Sequence, residues 1–157
     1  MAVLFSPSAQ QALRALIFLA RRADAAPVLV RDIADAEQIP RPFLSKLLHS
    51  LRNRGIVKST KGPGGGYALA LPSDRVRVSD IVETFDGSVD LSKTCVLGLD
   101  ECADASACAL HEQWKLFRER YAGTIASLTL REVATTIERK RRGRKRSPAK
   151  ARTAKRR

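Results

Sequence analysis

The sequence predicts a mainly α-helical fold with one small β-hairpin, built as a compact head followed by a long helix. Near the N terminus, apolar residues recur at helical spacing in three successive segments. Two strand-like runs then flank a glycine- and proline-rich segment at residues 61–66, which is typical of a hairpin with a loop at its tip. Helix, short helix, turn, helix and hairpin, in that order, predict a winged helix-turn-helix head.

Local signals place the individual elements. Ser6 can cap the first helix, and Pro7 suits its first turn. The segment 38–40 predicts a tight turn, and Gly55 lies where a helix terminator is expected. Further helices are predicted at residues 30–37, 41–53 and 79–85, from about 109, and at 130–138. Residues 90–108 show no periodicity and are expected to form a loop.

The charge is concentrated at the C-terminal end. The 157 residues carry a net charge of +13, but 12 of the 29 Lys and Arg residues lie at 139–157, which contains no acidic residue. Residues 1–138 therefore hold 17 basic and 16 acidic side chains and are nearly neutral. We expect four regions: a head at 1–88, a cysteine-containing loop at 89–108, dimerisation helices at 109–138 and a disordered basic tail at 139–157.

All three cysteines lie close to one of the two histidines, in the pattern C-x6-C-x5-C-x2-H formed by Cys95, Cys102, Cys108 and His111. Thiolates and a neutral imidazole are ligands for soft metals and iron–sulfur clusters. A zinc site of the Cys3His type is the chemical alternative.

The apolar run at 15–20 is too short to cross a membrane and lacks a cleavage-site context, so a cytoplasmic protein with reduced thiols is expected.

The winged helix-turn-helix order predicts binding to double-stranded DNA, with the helix at 41–53 in the major groove. Lysines at the hairpin would contact phosphates or a narrow minor groove, and the tip glycines would let the backbone approach closely. The expected DNA-binding residues are Arg41, Ser45, Lys46, His49, Lys58, Lys61, Gly64 and Gly65.

Together these residues resemble the IscR/NsrR family of winged-helix, iron–sulfur-linked transcriptional regulators, over about residues 8–138. The segments that carry the resemblance are Ala12-Leu13-Arg14, Asp32-Ile33-Ala34, Ile39-Pro40 to Phe43-Leu44, Leu51 to Val57, Lys61 to Ala70, Asp80-Ile81-Val82, the three cysteines, and Leu110 to Trp114. The resemblance implies a homodimer that binds a pseudo-palindromic operator, usually as a repressor. It also implies that Cys95, Cys102 and Cys108 ligate an iron–sulfur cluster of two or four irons, and that Lys61 reaches the minor groove.

Three features depart from the pattern of many family members: the start of the recognition helix, the first cysteine gap and one position in the first helix. Ser45 and Lys46 stand where many members have Glu-Gln, so the operator of other members is not transferred to this chain. The first cysteine gap is one residue longer than in some members. His111, three residues after Cys108, resembles the His ligand of some members. Other members use a carboxylate from helix one of the partner subunit, where this chain has Gln10, a poor ligand, so His111 is the favoured fourth ligand. Asp100, Glu101 and Asp104 are fallback ligands.

An apolar stripe predicts that the long helix meets a partner helix, because the small head leaves little surface for it to cover. The stripe consists of Leu110, Trp114, Phe117, Tyr121, Ile125 and Leu128. The basic tail would add salt-sensitive attraction to DNA phosphates.

The sequence thus predicts a transcriptional regulator whose operator binding responds to redox state, nitric oxide or iron–sulfur status through the cluster. Alternatives are a zinc-stabilised regulator, a metal-free thiol switch and a cluster-bearing electron carrier. An enzyme is not expected: His49 and His111 lie in separate elements, and the glycine-rich segment lacks the Gly-Lys-Ser/Thr ending of a phosphate-binding loop.

Overall fold

The computed structural model describes residues 5–22, 26–87, 95–99 and 102–146, with the backbone alone at 141–146. The helices are α1 Pro7–Ala20, α2 Val30–Glu37, α3 Arg41–Asn53, α4 Val78–Asp86, α5 His111–Ser127 and α6 Leu130–Arg146. The strands are β1 Val57–Thr60 and β2 Gly66–Leu69, and a short 3₁₀ helix spans Asp104–Ser106. The predicted fold class, mainly α with a small hairpin, is confirmed.

Helix α1 is the central element of the head, and it packs against α2, α3, α4 and α6. It begins as predicted: the backbone N–H of Ala9 donates to Ser6 Oγ at 3.1 Å, and Pro7 occupies the first turn. Its buried face includes Ala12 and Leu16, neither of which has any exposed surface. The small residues allow neighbouring helices to approach closely, while the leucine fills the space between them.

The turn between α2 and α3 orients the second helix of the pair. Gln38 adopts a left-handed conformation with φ 52°, and Ile39 is buried immediately after it. Arg14 of α1 donates to the backbone carbonyl of Glu37, and its Nε lies 3.4 Å from the Glu37 carboxylate, which is almost fully buried. The end of α2 is thereby attached to α1, which fixes the point at which α3 begins.

The hairpin is antiparallel, with Val57 opposite Leu69 and Thr60 opposite Gly66. A separate bridge joins it to the head, because Val28 and Tyr67 exchange two backbone hydrogen bonds of 2.8 Å. A two-stranded hairpin is only marginally stable by itself. Attachment to Val28 and burial of Val57 and Ala68 therefore hold the wing in place.

Helix α6 returns to the head after α5. Leu130 is completely buried, Ala134 nearly so, and α6 packs on α1 of the same chain. The prediction of a disordered tail from residue 139 is wrong for 139–146, because α6 continues to Arg146. Lys and Arg are good helix formers, and the first strong helix breaker after Glu138 is Pro148. Residues 147–157 of the predicted tail lie outside the described residues.

Within the described ranges, no helix is both long enough and apolar enough to cross a lipid bilayer.

Candidate functional site

Helix α3 presents a polar face to solvent and an apolar face to the core. Leu44, Leu47, Leu48 and Leu51 are buried, whereas Arg41, Ser45, Lys46 and His49 are all exposed. This separation follows from the helical period, which places the leucines on one side and the predicted DNA-binding residues on the other. The structure thus brings the four predicted α3 residues together on one exposed surface.

The polar residues of α3 differ in whether their side chains already have hydrogen-bonding or ionic partners. Arg41 Nη2 lies 3.0 Å from both carboxylate oxygens of Asp35, and Ser45 Oγ donates to the Arg41 carbonyl at 2.9 Å. His49 Nδ1 lies 3.4 Å from Arg52 Nη2. The Lys46 ammonium has no hydrogen-bonding or ionic partner among the described residues. Lys46 is therefore the predicted base-contacting residue that DNA can engage without breaking an existing contact.

The wing exposes Lys58, Lys61 and Gly64, but Gly65 is buried. The Gly65 N–H donates to the Gly62 carbonyl at 2.9 Å, and a Cβ at Gly65 would lie 2.3 Å from the Thr60 carbonyl oxygen. Gly65 therefore lies inside the turn, where a side chain would overlap the backbone, whereas Gly64 lies at the surface of the turn. The pair of exposed lysines gives the wing a positive charge suited to phosphate contact.

The described cysteine segment contains two pairs of donor groups. Cys102 Sγ lies 3.3 Å from His111 Nδ1, and His111 is only 3% exposed at the first position of α5. The Cys95 and Cys108 side chains lie within hydrogen-bonding reach of each other. Backbone N–H groups of Leu97 and Leu99, and then the Cys108 thiol, lower the pKa of Cys95. All three cysteines are partly exposed, free thiols.

The outer nitrogen of His111 has a partner of its own. His111 Nε2 lies 2.8 Å from Asp104 Oδ1, and Lys115 Nζ lies 3.0 and 3.1 Å from the two Asp104 oxygens. These contacts, from His111 first and Lys115 second, lower the pKa of the Asp104 carboxyl. Asp104 also raises the pKa of Lys115. From the sequence, Asp104 was predicted only as a fallback ligand. Lys115 was not predicted at all, because no motif or spacing in the sequence links it to the cysteine-containing loop.

One cluster of metal-ligating atoms within 4.8 Å of one another consists of Asp104, His111 and Glu112. Both carboxylates are exposed, and Asp104 already contacts His111 and Lys115. Exposed carboxylates are common without any metal, so this grouping alone does not define a site. Asp100 and Glu101, the other fallback ligands, lie outside the described residues. Gln10, which stands where other members have a carboxylate ligand, donates from Nε2 to the Phe5 carbonyl at 2.9 Å.

The predicted stripe on α5 forms an aromatic surface that the chain leaves partly uncovered. The Trp114 and Phe117 rings stack with centroids 5.3 Å apart, and Phe117 and Tyr121 follow at 5.7 Å. Leu110 and Phe117 are 44% and 39% exposed, and Leu116, which the sequence missed, is 54% exposed. The remaining stripe residues, Trp114, Tyr121, Ile125 and Leu128, are partly buried. A surface of large apolar side chains of this kind is typical of a contact with another chain.

Comparison with known proteins agrees with this architecture. Residues 5–136 match the family model Rrf2, described as iron-dependent transcriptional regulator. An HTH-type protein of Aquifex aeolicus is 34% identical over 138 residues, covering 87% of this chain and 94% of that protein. The regulator IscR of Escherichia coli is 31% identical over 127 residues, covering 81% and 77%. The structure of CymR, the global cysteine regulator of B. subtilis, superposes with a TM-score of 0.72 at 27% identity, covering 86% of this chain and 98% of that one.

These relatives are regulators rather than enzymes, in agreement with the prediction from sequence. The resemblance stated from the motifs is therefore confirmed. The chain belongs to the Rrf2 family of transcriptional regulators.

Proposed function

We propose that this chain is a DNA-binding repressor whose affinity for its operator is controlled by an iron–sulfur cluster, with Cys95, Cys102, Cys108 and His111 as ligands. The observation that carries the proposal is the 3.3 Å contact between Cys102 Sγ and His111 Nδ1, with Cys95 and Cys108 as a second pair of neighbouring donors. In a two-iron cluster each iron takes two protein ligands, so two adjacent pairs suit that cluster type. The match to the Rrf2 family model, described as iron-dependent transcriptional regulator, supports a group that contains iron.

The donor set also fits the cluster better than it fits a single zinc ion. Zinc would need all four ligand atoms within about 4 Å of one another, given Zn–S distances of about 2.3 Å and tetrahedral geometry. The described cluster of donors within 4.8 Å comprises Asp104, His111 and Glu112, and contains no thiol. When bound, the cluster would supply a redox-active group that oxygen, nitric oxide or iron limitation can alter. The chain's contribution is to hold the ligands at the start of α5.

The same helix would form the dimer. We place a second copy of this chain against the aromatic surface of α5, since Leu110, Leu116 and Phe117 remain exposed there. A dimer would present two α3 helices to the two half-sites of a pseudo-palindromic operator. Ligation at the start of α5 would then affect the spacing of the two heads, and hence the operator affinity.

The operator should contain guanine where Lys46 projects. Lysine donates to the O6 and N7 atoms of guanine in the major groove, whereas a glutamate accepts from cytosine. Lys46 is exposed and unpartnered in the described structure, so it can make this contact directly. Arg41, by comparison, must first separate from Asp35.

A metal-free thiol switch is the second candidate, because Cys95 and Cys108 lie close together. Peroxide could oxidise both thiols to a disulfide, accepting two electrons and two protons to form water. The structural similarity to CymR, the global cysteine regulator of B. subtilis, also favours this candidate.

Anaerobic purification with iron, sulfide and zinc analysis separates these candidates. We expect a brown protein with equal amounts of iron and sulfide, and operator affinity that changes when the cluster is removed. His111→Ala should lose most of the iron, while His49→Ala, which alters the chain's other histidine, should retain it. A colourless protein with stoichiometric zinc, or one that responds to peroxide but takes up no iron on reconstitution, would contradict the proposal.

A further inference from the structure

We propose that Asp104 and Lys115 form a positioning pair that holds His111 with Nδ1 facing Cys102. This inference rests on the proposed function, since it assigns the orientation of the fourth cluster ligand. Neither residue would touch the cluster. Their effect would pass through the imidazole, whose two nitrogens have different partners.

The contacts of His111 define which nitrogen carries the hydrogen. Asp104 is 75% exposed, and an ionised carboxylate can only accept a hydrogen bond. With Oδ1 at 2.8 Å, Nε2 must therefore be the N–H of the neutral ring. Nδ1 is left with a lone pair, 3.3 Å from Cys102 Sγ. A lone pair on Nδ1, beside the Cys102 sulfur, is what His111 would need to ligate an iron together with Cys102.

Lys115 explains why an exposed carboxylate keeps this position. Its Nζ contacts both oxygens of Asp104, and it lies four residues after His111, on the same face of α5. Asp104 thus contacts two side chains of the same helix, His111 and Lys115. An exposed ion pair contributes little to folding stability, so its removal should alter the orientation of His111 more than the stability of the chain.

Partners of this kind commonly control how well a histidine ligates. Metal-binding histidines usually donate their second N–H to a carboxylate or carbonyl, which fixes the tautomer and the ring orientation. Loss of such a partner typically reduces metal affinity by about 10–100-fold. Substitution of Asp104 should therefore lower the affinity for the cluster, although Asp104 is not itself a ligand.

The first test reads the tautomer in the full-length, metal-free protein labelled with ¹⁵N-histidine, at pH 8. The chain has two histidines, so His49→Gln identifies the His111 signals. We expect the Nε2–H tautomer in the unaltered protein and a mixture of tautomers in Asp104→Ala. Asp104→Asn, whose amide oxygen still accepts a hydrogen bond, should largely retain the original tautomer. An unchanged tautomer in Asp104→Ala would overturn the inference.

The second test measures cluster loss from the reconstituted protein in excess iron chelator. Asp104→Ala should lose iron about 10–100-fold faster than the unaltered protein. Asp74→Asn is the matched control, since it removes another exposed carboxylate from an ion pair, with Arg131, and should leave the rate unchanged. If the unaltered protein takes up no iron, the proposed function fails, whereas the tautomer test still reports on Asp104. If the unaltered protein holds iron and Asp104→Ala loses it at the same rate, the positioning inference fails alone.

Discussion

The connection between the wing and the head depends on one glycine, and we predict that Gly66→Ala disrupts it. Gly66 has φ +144°, and a Cβ there would lie 2.3 Å from the Val28 carbonyl oxygen and 2.4 Å from its carbon. Both atoms belong to the backbone, so no change of side-chain rotamer can relieve the overlap. The chain must move, and the adjacent bridge between Val28 and Tyr67 must loosen.

The size of the effect follows from what is lost. The bridge contains two backbone hydrogen bonds of 2.8 Å, each contributing about 0.5–1.5 kcal/mol. A residue other than glycine forced to keep this φ would cost about 1–3 kcal/mol. The two costs overlap, because opening the bridge relieves part of the strain. We therefore expect the free energy of unfolding to fall by about 2–4 kcal/mol.

Urea unfolding followed by circular dichroism measures this change, with Gly64→Ala as the control. Gly64 also has a positive φ, +75°, but a Cβ there meets open space. Strain alone should cost Gly64→Ala about 1–2 kcal/mol. Gly66→Ala should also bind operator DNA more weakly, because the wing that carries Lys61 would be less firmly held. Equal destabilisation by the two substitutions would refute the argument from contact with Val28.

Three further predictions concern the charged groups. Lys46→Glu should shift the preferred base in each half-site from guanine to cytosine, which selection from a random operator library would detect. Deleting 147–157 should weaken non-specific DNA binding and flatten its salt dependence, as measured by fluorescence anisotropy, with operator choice unchanged. The pKa of Glu132 lies below its usual value of 4.5 because Thr129 donates to it from its hydroxyl and then from its backbone. Its stabilising contribution is therefore present above pH 4.5 and lost as the pH falls below it, so the stability difference from Glu132→Gln should shrink on acidification.

The elements that the sequence predicted well are those that depend on local chemistry. The bounds of α2 and α3 agree with prediction, and α1 begins at the expected Ser6-Pro7. Helix period, capping residues and helix breakers all act within a few residues, so they can be read without knowing the fold. The end of α6 was missed for a related reason: the basic run from 139 contains Gly143, but an isolated glycine only weakens a helix, and the first proline is Pro148.

The contacts that the sequence could not predict join distant residues or depend on rotamers. The pairing of Asp104 with His111 and Lys115 needs the 3₁₀ helix to fold back on α5. Likewise, the spacing of Arg41 and Asp35 in the sequence does not indicate that they pair across the turn. Burial of Gly65 depends on the path of the hairpin tip rather than on composition. Motifs therefore identified the residue types of the site, whereas the fold determined which of them meet.

Helix α5 connects the proposed cluster to both the dimer surface and the head. His111 begins it, and Tyr121, further along, has a raised pKa because of burial first and the charge of Asp86 second. Asp86, at the end of α4, accepts from the Ser6 backbone N–H at 3.0 Å, where α1 begins. A shift of α5 on cluster loss would thus act on the same residues that support α1. Because coupling between two binding events is reciprocal, an operator that prefers the cluster-loaded form must also raise the affinity of the chain for the cluster by the same factor.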